Sequence, residues 1–439
     1  MIQSIKKFIY GDLFIAFWGL LTFYLWMKDY AHWGLYIYLG ALFLIFVLSK
    51  DVMPSIVVLF NALFVISKTE WALDDIPLYL YMTPVALISG MVIHMIRFKT
   101  PFKGKMSLGI GIMFLAMLLS SFNADLIDMN YVFYGIIGLL YVLIYFFYNN
   151  SLSETKLSYF LKTLFALGVL ISFQVFYYYL TVDDIVQAID HKTINLGWGI
   201  SNYVATYLII FTTVTFYYAR TSKWGLVFLI IGFFEALMLI FTLSRGGIIA
   251  FMGTLVLILF YLFYQNKRWP VILGGVVTIA LSIYFVVHAL PDVFLKLYER
   301  FMDRGLDPTG RFEIYKNAWE TFKDYPLFGK GLFARLDEAG DYRMYHNTIL
   351  HTMATFGTIG LIGLLIQLFM MFKIVLSKLS LERIAIVIAM LGMHAHGMVD
   401  NIYYMPQFMI LLFIIIAVFE NINKSDDIST ETLLNGGAA

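Results

Sequence analysis

The sequence predicts an all-α polytopic membrane protein, and three observations carry that expectation. Hydrophobic residues fill 61% of the 439 positions and charged residues only 13%, against roughly 25% charged in an average soluble chain. About fourteen apolar segments are long enough to cross a hydrocarbon layer, with Tyr and Trp near many of their ends. Lys and Arg are distributed unevenly between alternate loops, as membrane insertion favours.

Taken in order, the apolar segments lie near 9–27, 33–49, 52–67, 76–96, 106–121, 131–148, 157–180, 200–219, 224–242, 247–264, 270–290, 346–372, 383–399 and 403–420. The first follows Lys6 and Lys7 and runs to Trp26 with no small-residue cleavage site after it, so it reads as a retained helix. With the N-terminus in the cytoplasm, the inner loops carry Arg97, Lys99, Lys103 and Lys105; Arg220 and Lys223; Lys267 and Arg268; and Lys373, Lys378 and Arg383. The short outer loops carry Lys28, Lys68, Lys192 and Arg245, at most one each. The bias holds from end to end and places both termini in the cytoplasm. The chain divides into N-terminal membrane helices (1–196), a catalytic membrane region (197–423) and a polar tail (424–439) that reads as disordered.

Other partner classes find little support. The net charge of +1 gives no electrostatic footprint for nucleic acid. With no cysteine, disulfides and thiol catalysis are excluded. No P-loop or glycine-rich nucleotide fingerprint occurs, which argues against ATP or a nucleotide-sugar donor.

This orientation places the segment 291–345 on the extracytoplasmic side. It holds nine Lys or Arg and ten Asp or Glu in 55 residues, and a loop so long is functional or disordered. After Pro308, Thr309 and Gly310, the run from Arg311 to Asp324 repeats Phe312, Tyr315, Trp319 and Phe322 at helical spacing, with charges between them. Pro326, Gly329 and Gly331 end the pattern. The segment therefore reads as an amphipathic helix on the outer surface or over a cavity.

Several polar residues stand out from this apolar background. Arg245, in Leu243-Ser-Arg-Gly-Gly247, sits in a tight outer turn, where guanidinium is either an anion clamp or an interfacial side chain that snorkels. Gly246 and Gly247 would let the backbone turn sharply and leave space beside it. Arg311 lies in the first turn of the loop helix, against the dipole preference unless an anion joins both; otherwise it is a solvated surface charge. His346 opens the twelfth span, either as a proton acceptor or as a polar residue beside a capping Asn347 or Thr348. His394 and His396 are two apart and do not share a helix face, so no metal site is expected. Trp319, Asn347, Asp400 and Asn401 are candidates to line an outer cavity. Glu235 is the carboxylate deep in an apolar helix, ten residues before Arg245 and so roughly 15 Å away along it.

Three elements then occur in order: Leu-Ser-Arg-Gly-Gly at 243–247; Gly310-Arg311 with Trp319 and Pro-Leu-Phe-Gly-Lys-Gly at 326–331; and His346-Asn347 followed by Phe-Gly-Thr-Ile-Gly at 356–360. This pattern, over roughly 197–375, resembles the O-antigen ligase and polysaccharide polymerase superfamily. The resemblance implies a metal-independent, cofactor-free GT-C-type glycosyltransferase in the bacterial inner membrane. Its donor would be a glycan on undecaprenyl diphosphate, transferred with inversion on the extracytoplasmic face. Arg245 and Arg311 would bind the diphosphate and His346 would be the base. The acceptor would be a lipid-linked repeat unit in a polymerase or lipid A core in a ligase, and a chain-length regulator would be a partner. A polymerase needs only lipid-linked substrates and is the favoured expectation. A lipid-linked glycan transporter is the competing class, for which Glu235 lacks a partner and no internal repeat is evident.

Overall fold

The computed structural model of the chain describes residues 2–68, 78–125, 127, 129–152, 156–196, 199–264, 269–289, 291–302, 310–334 and 344–436. These form eighteen helices and one small hairpin. The helices are α1 (Ile2–Ile9), α2 (Asp12–Met27), α3 (Ala31–Leu48), α4 (Met53–Lys68), α5 (Leu78–Phe98), α6 (Ser107–Ser120), α7 (Met129–Ser151), α8 (Leu157–Thr181), α9 (Ile185–His191), α10 (Ser201–Thr221), α11 (Gly225–Phe241), α12 (Arg245–Phe263), α13 (Trp269–Ala289), α14 (Pro291–Met302), α15 (Arg311–Asp324), α16 (Thr348–Val375), α17 (Leu381–Gly397) and α18 (Pro406–Gly436). Between α9 and α10, β1 (Asn195–Leu196) pairs antiparallel with β2 (Gly199–Ile200). Each expected apolar segment is helical, and the chain is an all-α polytopic membrane protein. By length and composition alone, α8, α12, α16 and α18 as far as Lys424 can each cross a membrane.

Besides α2, α4 and α5 around α3, the helices pack in two groups. One surrounds α10, which touches α8, α11, α12 and α17. Most of the α10 surface is buried, Thr206, Thr212, Thr213 and Thr215 included. The other group surrounds α16, which packs on α6, α15 and α18, with α7 against α18. Contact between α16 and α17 joins the two groups.

A break in α16 fixes much of the second group. Gly357 adopts φ 63°, ψ −160° within this helix, a conformation reserved almost wholly for glycine. It lies ten residues past the N-cap Asn347, roughly 15 Å along the helix. Backbone groups released there would be costly in hydrocarbon. The segment 326–331 satisfies them from outside the helix. Lys330 and Gly331 donate their N–H groups to the Ala354 and Thr355 carbonyls at 2.9 and 3.0 Å, and Thr358 N–H reaches the Pro326 carbonyl at 2.8 Å. Gly329, at φ 73°, runs directly against the Thr355–Phe356 backbone, where a Cβ would collide. The same segment is tied to the end of α6: Asn123 Nδ2 donates to the Gly329 carbonyl at 2.9 Å, and Lys330 pairs with Asp125 at 2.8 Å.

Three details add to the sequence expectation. Helix α14 starts at Pro291 with Asp292 in its first turn, both favourable for a helix start, inside the stretch read as loop. Helix α15 has the expected bounds. Phe312 and Trp319 are 65% and 48% exposed, whereas Ala318 is fully buried and Ile314 packs with it. The face that docks on the protein carries Ile314, Tyr315, Ala318 and Thr321. Helix α18 is described as far as Gly436. Pro308 and Thr309 lie outside the described residues.

Gly357→Ala and Gly329→Ala are each expected to destabilise the protein by about 3 kcal/mol or more, since backbone strain and backbone collision add. Gly253→Ala, where a Cβ meets nothing within 4 Å, should be neutral. Thermal melting of the purified protein checks all three.

Candidate active site

The N-terminal ends of α10, α12 and α16 meet the C-terminal end of α17, and α15 packs on α16. The chemistry-bearing residues gather at this end of the bundle. His346 precedes α16 in a left-handed conformation, φ 50°, sparsely populated for a residue other than glycine and worth attention at a polar site. Two contacts hold its backbone from α15. Tyr315 donates its hydroxyl to the His346 carbonyl at 3.1 Å, and the Thr321 and Tyr345 hydroxyls meet at 3.1 Å. Asn347 caps α16, accepting from Leu350 N–H at 2.9 Å while its amide donates to the Met398 carbonyl at 2.7 Å.

The His346 ring pairs with Asp400. Nδ1 lies 3.0 Å from Asp400 Oδ1. A carboxylate accepts only, so Nδ1 carries the proton and Nε2 is left as the basic nitrogen. Asp400 Oδ1 also accepts Asn401 N–H at 2.8 Å, and Oδ2 accepts from Asn202 Nδ2. Burial alone would push the Asp400 carboxyl up. The hydrogen bond and charge of His346, with His396 and Asn401 N–H, outweigh burial and hold it down at about 2. The His346 side chain is 39% exposed and that of Asp400 only 5%, so the base is accessible while its orienting carboxylate is enclosed.

Arg245 is the first residue of α12, in the tight turn expected. The left-handed residue of that turn is Leu243, φ 60°, and not a glycine. The glycines serve close approach instead. A Cβ on Gly246 would lie 2.7 Å from Val399 Cγ2 and 3.4 Å from His396 Nε2, and one on Gly247 would lie 2.6 Å from Ala205 Cβ. Ser244 caps α12 by accepting Gly247 N–H at 3.2 Å. The buried His396 ring ties this turn to α10. Its Nδ1 is 2.8 Å from Thr206 Oγ1 and its Nε2 is 3.4 Å from Ser244 Oγ. Thr206 donates to the Asn202 carbonyl at 3.1 Å, so it accepts from Nδ1–H, and Ser244 donates to Nε2. Arg311 is the first residue of α15 after left-handed Gly310. Arg311, Lys192 and Asp400 all lie within electrostatic reach of the His396 ring.

The structure therefore gathers His346, Asp400, Arg311 and the turn carrying Arg245 around His396. Trp319 is instead half-exposed, with its ring 5.6 Å from Phe322. Asn401 is buried and engages Asp400 through its backbone. His394 turns away from His396, towards the Phe372 and Tyr403 rings. Glu235 is fully buried against Gly168 of α8, flanked by Thr212 and Thr215 of α10. Asn202, Thr206 and the backbone clamp of Tyr315 were not foreseen. Asn202 and Asp400 are 198 residues apart, and no local spacing announces their contact. On the α16 side, an apolar cavity of about 140 Å³ lies between α6, α7, α16 and α18, lined by Phe114, Met117, Phe333, Met344, Phe356 and Phe413 among others.

Residues 226–365 match the family model described as O-antigen ligase. The matched stretch is similar to that family. Arg245, Arg311 and His346 fall inside it, whereas Asn202 and Asp400 lie beyond its two ends. The match supports a function of the O-antigen ligase or polymerase type on lipid-linked glycans in a bacterial inner membrane. No curated protein gives a significant match to the chain.

Because the Asp400 carboxyl is held down in the folded protein, it contributes stability above its ordinary value near 3.8, and that contribution is lost as pH falls towards about 2. Asp400→Asn should therefore lower the melting temperature at pH 7, and its gap from wild type should narrow between pH 4 and pH 2, as read in melting curves across pH.

Proposed function

We propose that this protein is an inverting glycosyltransferase that polymerises lipid-diphosphate-linked glycan repeat units on the extracytoplasmic face of the membrane, with both termini in the cytoplasm. The observation that carries this reading is the His346–Asp400 pair at 3.0 Å, beside the helix starts that bear Arg245 and Arg311. Such an arrangement suits a single displacement. His346 Nε2 takes the proton of the acceptor hydroxyl as its oxygen attacks the anomeric carbon. The bond from that carbon to the diphosphate breaks, and its electron pair leaves with the phosphate oxygen. Asp400 stabilises the imidazolium that forms, as an orienting carboxylate does beside a catalytic histidine. Arg245 and Arg311 stabilise the charge growing on the diphosphate in a poorly hydrated site.

The surroundings support lipid-borne substrates. The cations lie where α12 and α15 begin, and the apolar cavity lies on the α6–α18 side of α16. A reactive head with an alkyl tail suits that pairing of surfaces. The donor therefore enters already activated from the membrane, and a second lipid-linked repeat unit serves as acceptor. The family description favours a second reading, transfer to lipid A core by a ligase.

The test is reconstitution of the full chain in proteoliposomes with a lipid-diphosphate-linked oligosaccharide. A ladder of longer chains is expected. Product that forms only when lipid A core is added would make the protein a ligase, and translocation without bond cleavage would make it a transporter. His346→Ala and Asp400→Asn should each lower turnover by about 10²- to 10⁴-fold. The double variant should be little worse than the poorer single one, because the two act as a unit. Removing either guanidinium should cost about 10²- to 10³-fold. Full activity in His346→Ala contradicts the mechanism.

A further inference from the structure

We propose that Lys192 is the third cation of the anion site and makes it select a lipid diphosphate over a lipid monophosphate. This rests on the glycosyl-transfer reading above and names the charge that site is built to hold.

Lys192 ends α9 as a left-handed C-cap, φ 54°, with the following residue, Thr193, bonding back to the Ala188 carbonyl at 3.3 Å. Its position is thus set by a helix end. The side chain is held as well: Nζ donates to Asn202 Oδ1 at 2.7 Å. Asn202 Nδ2 donates to Asp400, so the amide cannot flip without placing two acceptors against each other, and Oδ1 must face a donor. The chain Lys192–Asn202–Asp400–His346 therefore runs from a cation to the base. Lys192 and Arg311 both lie within electrostatic reach of His396, and the Arg245 turn abuts the same ring. Lys192 and Arg311 thus share one imidazole as a neighbour, at the turn that carries Arg245.

The reaction gives this count a purpose. In a glycosyl lipid diphosphate each phosphate carries one ester and one anhydride link, so the group holds two negative charges. When the bond from the anomeric carbon to oxygen breaks, the electron pair stays on the diphosphate and its terminal phosphate, now without an ester, ionises further near neutral pH. Two guanidiniums match the bound substrate. The third cation matches the charge that appears only as the bond breaks, and binding of that kind raises turnover.

The experiment measures binding of undecaprenyl diphosphate and undecaprenyl monophosphate to the full chain in lipid nanodiscs. Wild type should bind the diphosphate more tightly. Lys192→Gln keeps a donor for Asn202 but removes the charge; Lys192→Met is a second neutral variant should the first not fold, and Lys192→Arg restores the charge. A neutral variant that melts like wild type should lose roughly tenfold or more in diphosphate affinity, with monophosphate affinity within about twofold, and Lys192→Arg should recover the preference. Unchanged diphosphate affinity in a folded neutral variant, or equal loss for both lipids, overturns the assignment. Wild type that binds neither lipid overturns the glycosyl-transfer reading itself.

Discussion

The join between segment 326–331 and the broken helix α16 is the constraint on which the rest of the site depends. A helix opened at Gly357 leaves carbonyl and amide groups that a bilayer cannot satisfy. Segment 326–331 satisfies them with its own backbone, and it can do so only because Gly329 and Gly357 bring two main chains into contact. The join anchors the end of α15 against α16, while Tyr315 and Thr321 fasten its middle to Tyr345 and His346. Arg311 at the start of α15 and His346 at the start of α16 are therefore parts of one rigid corner, although a long, charged stretch of chain separates them.

A second corner comes from the α10 group. His396 links Thr206 of α10 to Ser244 at the start of α12, and Asn202 of α10 reaches Asp400 beyond α17. The pair His346–Asp400 closes the gap between the two corners. The site thus lies where two packs of helices meet, and its precision comes from helix ends and not from a mobile loop. Asp400 is well placed to ionise because it is enclosed by donors, which outweigh the cost of burial.

Much of this was legible in the sequence wherever the signal is local. Apolar runs of membrane length mark the helices, and Gly310 with Pro326 brackets α15 to its observed bounds. The Leu-Ser-Arg-Gly-Gly turn is visible from composition, as is the capping role of Asn347. What could not be read is what pairs across distance. Nothing near Gly329 announces Gly357, and nothing near Asn202 announces Asp400. Nor could the docking face of α15 be read. Aromatic residues at helical spacing normally mark the buried face, but a helix among apolar surroundings can leave Phe312 and Trp319 outward and dock through Ala318. Likewise, Leu243 takes the left-handed position that two neighbouring glycines seemed built for, because those glycines are needed where α12 touches α10 and His396.

The central claim is that segment 326–331 is spliced into α16 and holds the arginine-bearing helix over the histidine. Hydrogen–deuterium exchange of the full chain in nanodiscs tests it directly. The amides of Gly329, Lys330 and Gly331 are all hydrogen-bonded, so they should exchange as slowly as the α16 amides around Thr358. Exchange of these amides within seconds, as in an unattached surface loop, would contradict the account.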